Sequence, residues 1–163
     1  QEKYEEAEKM FRKIPENLKD TFDYYVLDGE LAIYHRDFEA AETAYMLAKL
    51  DDPINEDVIN KLANISLEQN KYEKSAEHLE LLLVLSPDYP TAKSRLAFIR
   101  FEIGAKEPFD EIMSQFTDEE LRALLVLLTS GDEIDYLEYD REQLLRRLNE
   151  ARENRVLFKN IKY

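Results

Sequence analysis

The chain contains no cysteine. It therefore has no disulfide framework, no thiolate nucleophile and no thiolate metal ligand, which fits a reducing, cytoplasmic setting. Glycine and proline are scarce, at 3 and 5 of 163 residues. That is too little turn material for many short strands, and it suits long helices joined by tight turns. Long apolar runs are missing as well. The two longest, 81–85 and 123–128, fall far short of the ~18 residues a membrane span needs and suit buried helix segments. No signal-peptide pattern opens the chain, which does not begin with Met. Basic residues are outnumbered, 22 against 36 acidic, for a net charge of −14. That balance disfavours nucleic acid, because binding a phosphate backbone needs a basic surface.

What is present is enough for a core: 44% of residues are hydrophobic, which argues against disorder. The charge is uneven. Residues 141–163 hold seven basic side chains (Arg141, Arg146, Arg147, Arg152, Arg155, Lys159, Lys162) and three glutamates, a net of +4, leaving −18 for residues 1–140. An acidic body and a basic tail invite contact, within one chain or between copies.

The chain also repeats itself. Segments Tyr4–Phe11, Phe38–Tyr45 and Tyr72–Leu79 align, with Tyr4, Phe38 and Tyr72 each 34 residues apart, as are Pro53 and Pro87. Each unit reads as two amphipathic helices, predicted over 22–35 with 38–51 and 56–69 with 72–85. Short turns such as His35-Arg36-Asp37 and Gln69-Asn70-Lys71 join them, and Pro53 and Pro87 stop the second helix. Small residues at Gly29 and Ala41 let helices approach, with Ala41 expected opposite Gly29, while Tyr25, Tyr45, Leu62 and Leu79 fill the gaps. One hairpin cannot bury its apolar face alone, so stacked neighbours make the core.

A 34-residue period with these residues resembles the tetratricopeptide repeat. Residues 22–55 match its pattern through Tyr25, Gly29, Ala41, Tyr45 and Pro53, departing at Asp28 and Ala32. Residues 56–89 match through Ile59, Leu62, Ala63, Leu79 and Pro87, departing at Ser66 and Ser75. The resemblance spans about 1–106: a partial repeat over 1–21, full repeats over 22–55 and 56–89, and a partial one over 90–106 with Leu96 and Ala97 in place. It implies an all-α superhelical array of antiparallel helix pairs, an α-solenoid. Tyr4–Phe11 looks like the second helix of a repeat, so the chain is either a fragment of a longer array or carries an unusual cap there. Residues 107–163 read as a C-terminal helical cap with a basic tail. Pro108 suits a helix start, with Phe109, Ile112, Met113 and Phe116 at helical spacing. Thr117 with Glu120 forms a capping box for a helix ended by Gly131, and Asp140 with Gln143 opens a last helix with an apolar stripe of Leu144, Leu145, Leu148, Ala151 and Val156.

Enzyme chemistry has little support. His35 and His78 are far apart, and no HExxH, GxSxG or Gly-rich phosphate loop occurs. The chain reads as a protein–protein interaction module, not an enzyme, with no metal or cofactor. In the family, first helices line a concave groove that holds an extended peptide or a helix of a partner protein. Carried onto this register, the resemblance implies a groove of Glu30, Tyr34, Asn60, Lys61, Asn64, Arg95 and Phe98. Asp23, Val26, Leu27, Asp57, Glu68, Thr91, Ser94 and Glu102 lie beside them. For Leu27, Tyr34 and Phe98, packing against neighbours is an equal alternative. A family variant clamps carboxylates with two Lys, two Asn and one Arg; only Arg95 matches, and Glu30 would repel an anion. The alternative function is self-assembly, a homo-oligomer formed through the acidic body and the basic last helix. With no plausible ligand set for structural zinc, treatment with a chelator should leave the helical circular-dichroism signal unchanged; loss of helicity would reveal a metal requirement.

Overall fold

In the computed structural model, the residues described are 2–104, 113–129 and 138–161. They form eight α-helices and one short 3-10 turn, with no strand among them. The chain divides into two compact units, residues 1–87 and 88–163, and each is described by itself.

The first unit runs α1 (Glu2–Phe11), a 3-10 turn (Glu16–Leu18), α2 (Phe22–Tyr34), α3 (Phe38–Asp51), α4 (Glu56–Glu68) and α5 (Tyr72–Leu85). The predicted pairs 22–35/38–51 and 56–69/72–85 are thus present to within one residue, and Pro53 and Pro87 lie outside helices. Helix starts are capped locally: Thr21, Asp37 and Asn55 accept the amides of Tyr24, Ala40 and Val58 at 3.3, 3.0 and 3.2 Å. The ends of α2 and α4 share one geometry. Arg36 and Asn70 adopt left-handed φ values of 59° and 56°. Around them, Asp37 N donates to the Ala32 carbonyl and Arg36 N to that of Ile33, and Lys71 N and Asn70 N do the same to Ser66 and Leu67. This is the Schellman closure, and it turns the chain back within three residues.

α2 packs on α3, α3 on α4 and α4 on α5. The core between them consists of Ala41, Tyr45, Ala48, Val58, Leu62 and Ile65, flanked by Phe22, Tyr25, Val26, Ala32, Ile33 and Phe38. The nearest surface to Gly29 is the ring of Tyr45: a Cβ at Gly29 would lie 2.6 Å from it; Ala41, expected opposite Gly29, is fully buried. Tyr45 is one turn beyond Ala41 on the same face of α3, and its long side chain reaches back over the glycine. Ser75, standing where the repeat usually has Ala, donates a buried 2.8 Å bond to the Ala63 carbonyl and so ties α5 to α4. α1 rests on α2 through two stacked ring pairs, Tyr4 on Tyr34 at 4.3 Å and Phe11 on Tyr24 at 4.8 Å.

The second unit contains α6 (Ala92–Glu102), α7 (Asp118–Thr129) and α8 (Arg141–Ile161). Both expected capping boxes are closed reciprocally. Glu120 N donates to Thr117 Oγ1 at 3.2 Å and Thr117 N to Glu120 Oε2 at 2.8 Å; Gln143 N and Asp140 N exchange the matching pair at 2.9 and 3.0 Å. Side-chain links show that the three helices run in the same direction. Ser94 Oγ, near the start of α6, donates to the Glu120 carbonyl near the start of α7, and Arg141 at the start of α8 reaches Asp118 and the Phe116 carbonyl. At the opposite ends, Arg155 reaches both Glu102 and the Leu128 carbonyl. Met113, Phe116, Leu144 and Leu148 are buried, Leu145 and Ala151 half-buried, and Val156 exposed, so the apolar stripe of α8 leaves the core before its end. The expectations for Pro108, Phe109, Ile112 and Gly131 lie outside the described residues.

Two substitutions probe the first unit. Ala41→Leu should overpack a fully buried site and lower stability by about 1–3 kcal/mol. Gly29→Ala should also destabilise, although alanine is the better helix former by ~1 kcal/mol, because Tyr45 is itself locked in the core. Urea midpoints of both variants check this; a wild-type midpoint for Ala41→Leu would contradict the register.

Candidate partner-binding groove

The predicted groove residues divide between the units. In the first, Glu30 and Tyr34 come from α2 and Asn60, Lys61 and Asn64 from α4. Asn64 is exposed, while Asn60 and Lys61 are half-buried. Lys61 Nζ lies 2.6 Å from a Glu30 carboxylate oxygen. That same carboxylate accepts a 2.8 Å hydrogen bond from the hydroxyl of the buried Tyr45. Tyr34 is stacked by Tyr4 and met edge-on by His35, so part of its surface is already taken by α1 and by its own turn.

A pocket of about 410 Å³ opens between the end of α2 and α4, lined by Ile33, Arg36, Phe38, Lys61, Asn64, Ile65 and Glu68. Lys61, Asn64 and Glu68 are among the residues that the family resemblance puts along the groove. Ile33, Arg36, Phe38 and Ile65 are not. Arg36 and Phe38 reach the pocket through the left-handed turn and the cap after it, with the Arg36 guanidinium 6.0 Å above the Phe38 ring; a helical-face argument has no means of placing turn residues. The pocket therefore combines apolar walls, two cations, a carboxylate and an exposed amide. These groups can meet an apolar side chain and the polar backbone of an extended segment together.

In the second unit Arg95 and Phe98 are 9% and 8% exposed. The Arg155 guanidinium lies 5.2 Å over the Phe98 ring while its Nε donates to Glu102 at 2.7 Å. Phe98 thus has the packing role that was the equal alternative for it. Burial lowers the Arg95 pKa from its usual value. Among the described residues no group of three His, Asp or Glu side chains could hold a metal ion, and no helix is long and apolar enough to cross a membrane.

No family model matches the chain. Its fold is similar to the crystal structure of the Sgt2 TPR domain from Aspergillus fumigatus, with a TM-score of 0.54 and 22% identity over 85% of this chain and 81% of that one. The fold is that of a tetratricopeptide repeat domain. A curated protein of Aspergillus fumigatus, the heat-shock protein cognate co-chaperone sgt12, is 31% identical over 88 residues, which is 52% of this chain. The chain spans about a quarter, 26%, of that relative's length. The tetratricopeptide departures at Ser66 and Ser75 are both buried, and Asp28, where the repeat usually has Leu, is half-buried with its pKa raised by that burial.

Within this tetratricopeptide array the Tyr45–Glu30–Lys61 chain makes a pH prediction. Burial alone would raise the Glu30 pKa, but hydrogen bonds from Lys61 and Tyr45 and the charge of Lys61 outweigh it and hold the carboxyl below its usual value. A depressed folded-state pKa stabilises above the unfolded value of about 4.3, and that contribution is lost as pH falls through the folded value. Tyr45→Phe should therefore lower stability by about 1 kcal/mol near neutral pH, with the deficit shrinking in acid once Glu30 is protonated. Urea midpoints of the two proteins at neutral and acidic pH test it; a deficit that does not change with pH would contradict the coupling.

Proposed function

We propose that the chain is a protein-binding module, not a catalyst, and that a partner's extended peptide or helix lies against the first helices of its repeats. The observation that carries this reading is the pocket beside α4, where Lys61, Asn64 and Arg36 stand next to the apolar walls of Ile33, Phe38 and Ile65. We centre the site on Glu30, Tyr34, Asn60, Lys61 and Asn64 with Arg36 and Phe38 added; the buried Arg95 and Phe98 enter as packing residues. The co-chaperone relative supports a protein partner, and its name makes a heat-shock cognate chaperone the first candidate to test. A carboxylate clamp is a poor model for contact, since Glu30, which the resemblance puts in the groove, would repel an anion and already engages Lys61. A cytoplasmic setting goes with this reading and with the absence of cysteine.

The second reading, self-assembly through acidic body and basic tail, is weakened by the tail's own contacts. Arg141 pairs with Asp118, Arg147 with Glu150 and Arg155 with Glu102, all inside the second unit. Sedimentation across a salt series separates the two, because association driven by exposed charge weakens as salt screens it.

The direct test is titration of the chain against a heat-shock cognate chaperone. Lys61→Ala with Asn64→Ala should weaken binding by about 2 kcal/mol or more, with helicity retained. If Arg146→Glu with Arg147→Glu removes binding while the groove double mutant keeps it, the tail is the site and the groove proposal is wrong.

A further inference from the structure

A second groove in the first unit lies away from the residues assigned above. It runs between α3 and α5, and these helices point the same way: Glu42 near the start of α3 reaches Lys71 and Lys74 at the start of α5, at 2.6 and 3.1 Å. Its volume is about 520 Å³, and its walls include Thr43, Met46, Leu47 and Leu50 from α3 with Glu77 and His78 from α5. Positions 43, 46, 47 and 50 are spaced by three and four, so they form one helical face, as do 74, 77 and 78 on α5. Leu50, Met46 and Leu47 are 75%, 44% and 38% exposed. A tetratricopeptide hairpin buries the opposite faces of these helices, through Ala41, Tyr45 and Ala48 on α3 and Leu79 and Leu82 on α5, so this stripe contributes little to the core. The repeat equivalent of Leu50, 34 residues on, is Val84, and it is 78% exposed.

We propose that the α3/α5 groove docks an amphipathic helix of a partner protein whose apolar face carries aliphatic side chains and whose flanks are basic. The apolar wall of α3, Met46, Leu47 and Leu50, faces the polar wall of α5, Lys74, Glu77 and His78, so the trough suits a third helix whose apolar anchors at i, i+3, i+4 and i+7 lie on α3 and whose polar edge meets α5. The charge around it selects the flanks. α3 and α5 together carry six carboxylates and two lysines. Glu42 is taken by Lys71 and Lys74; beside it Glu39, Asp51, Glu73 and Glu77 outnumber Lys49. His78 adds no charge near neutral pH, its pKa being lowered by burial and by Lys49. A second copy presenting this same acidic face would be repelled, and the basic α8 already spends Arg141, Arg147 and Arg155 within its own unit. A separate protein with lysines or arginines beside its apolar stripe complements both features.

The test uses the full chain and two synthetic helical peptides as probes. One has Leu and Lys at amphipathic spacing; in the other every Lys is replaced by Glu. Fluorescence anisotropy should show the Lys peptide binding and the Glu peptide not. Leu50→Glu and Met46→Glu, both at exposed positions and checked for unchanged helicity, should each weaken the Lys peptide roughly tenfold or more. The proposal is overturned if the Lys peptide does not bind, or if it binds equally well to both variants. It is also overturned if Lys61→Ala with Asn64→Ala removes binding instead, or if sedimentation finds a wild-type dimer that Leu50→Glu dissociates, since a second copy would then be the occupant. The groove beside α4 is read out separately by the chaperone titration, so either site can fail alone.

Discussion

The contact between the Tyr45 ring and Gly29 is the constraint on which the first unit turns. A buried aromatic ring sits where even a methyl group on α2 would approach to 2.6 Å, so α2 and α3 meet at the distance that a missing side chain permits. The ring's far end is polar, and beyond the contact its hydroxyl donates to Glu30, the next residue of α2. There the carboxylate binds Lys61 of α4. One tyrosine thus sets the spacing inside a hairpin and, through its hydroxyl, fixes a charge pair between the first helices of two successive hairpins. The packing of the core and the electrostatics of the candidate groove are two ends of one side chain. Burial of that hydroxyl beside a carboxylate pushes its pKa well above the usual value, so it remains a donor throughout the range in which proteins fold.

The second unit solves a different problem with the same parts. Its helices run side by side in one direction and are fastened at both ends by arginines that donate to backbone carbonyls as well as to carboxylates. Arg141 serves the starts of α7 and α8, and Arg155 the ends of α6 and α7. A guanidinium suits this work because its several donors can satisfy two helices at once. The basic character of the last helix is therefore in part structural.

Much of the helical scaffold could be read from the residues. The period of 34 placed four helices of the first unit to within a residue, because each hairpin repeats the same packing problem and meets it with small residues at close approaches and large ones between them. The capping boxes at Thr117 and Asp140 were also legible, since they are local and depend on side chains three residues apart. Contacts that skip along the chain were less visible. The Glu30–Lys61 pair joins residues 31 positions apart, which is not the repeat period, and it follows only once two helices are laid diagonally against each other. The roles of Arg36 and Phe38 depend on a turn whose conformation no glycine announces. The trough between α3 and α5 was hidden for another reason: on a helix pattern Met46, Leu47 and Leu50 look like a broader apolar face, and only the packed structure shows which of them the core leaves out.

The turns that close the first helices recur with the same 34-residue interval. Arg36, Asn70 and Gly104 stand at equivalent places, with left-handed φ values of 59°, 56° and 74°. Glycine enters that conformation without penalty and asparagine with little, whereas a long side chain meets a steric cost of roughly 1–2 kcal/mol. Arginine occupies the one of the three turns whose residue also lines the pocket beside α4. Local strain of this kind tends to collect where a surface is used. Under the binding mode proposed above, it sets foldability against recognition at a single residue: the change that would relax the first turn would also take a cation from the lining of the pocket.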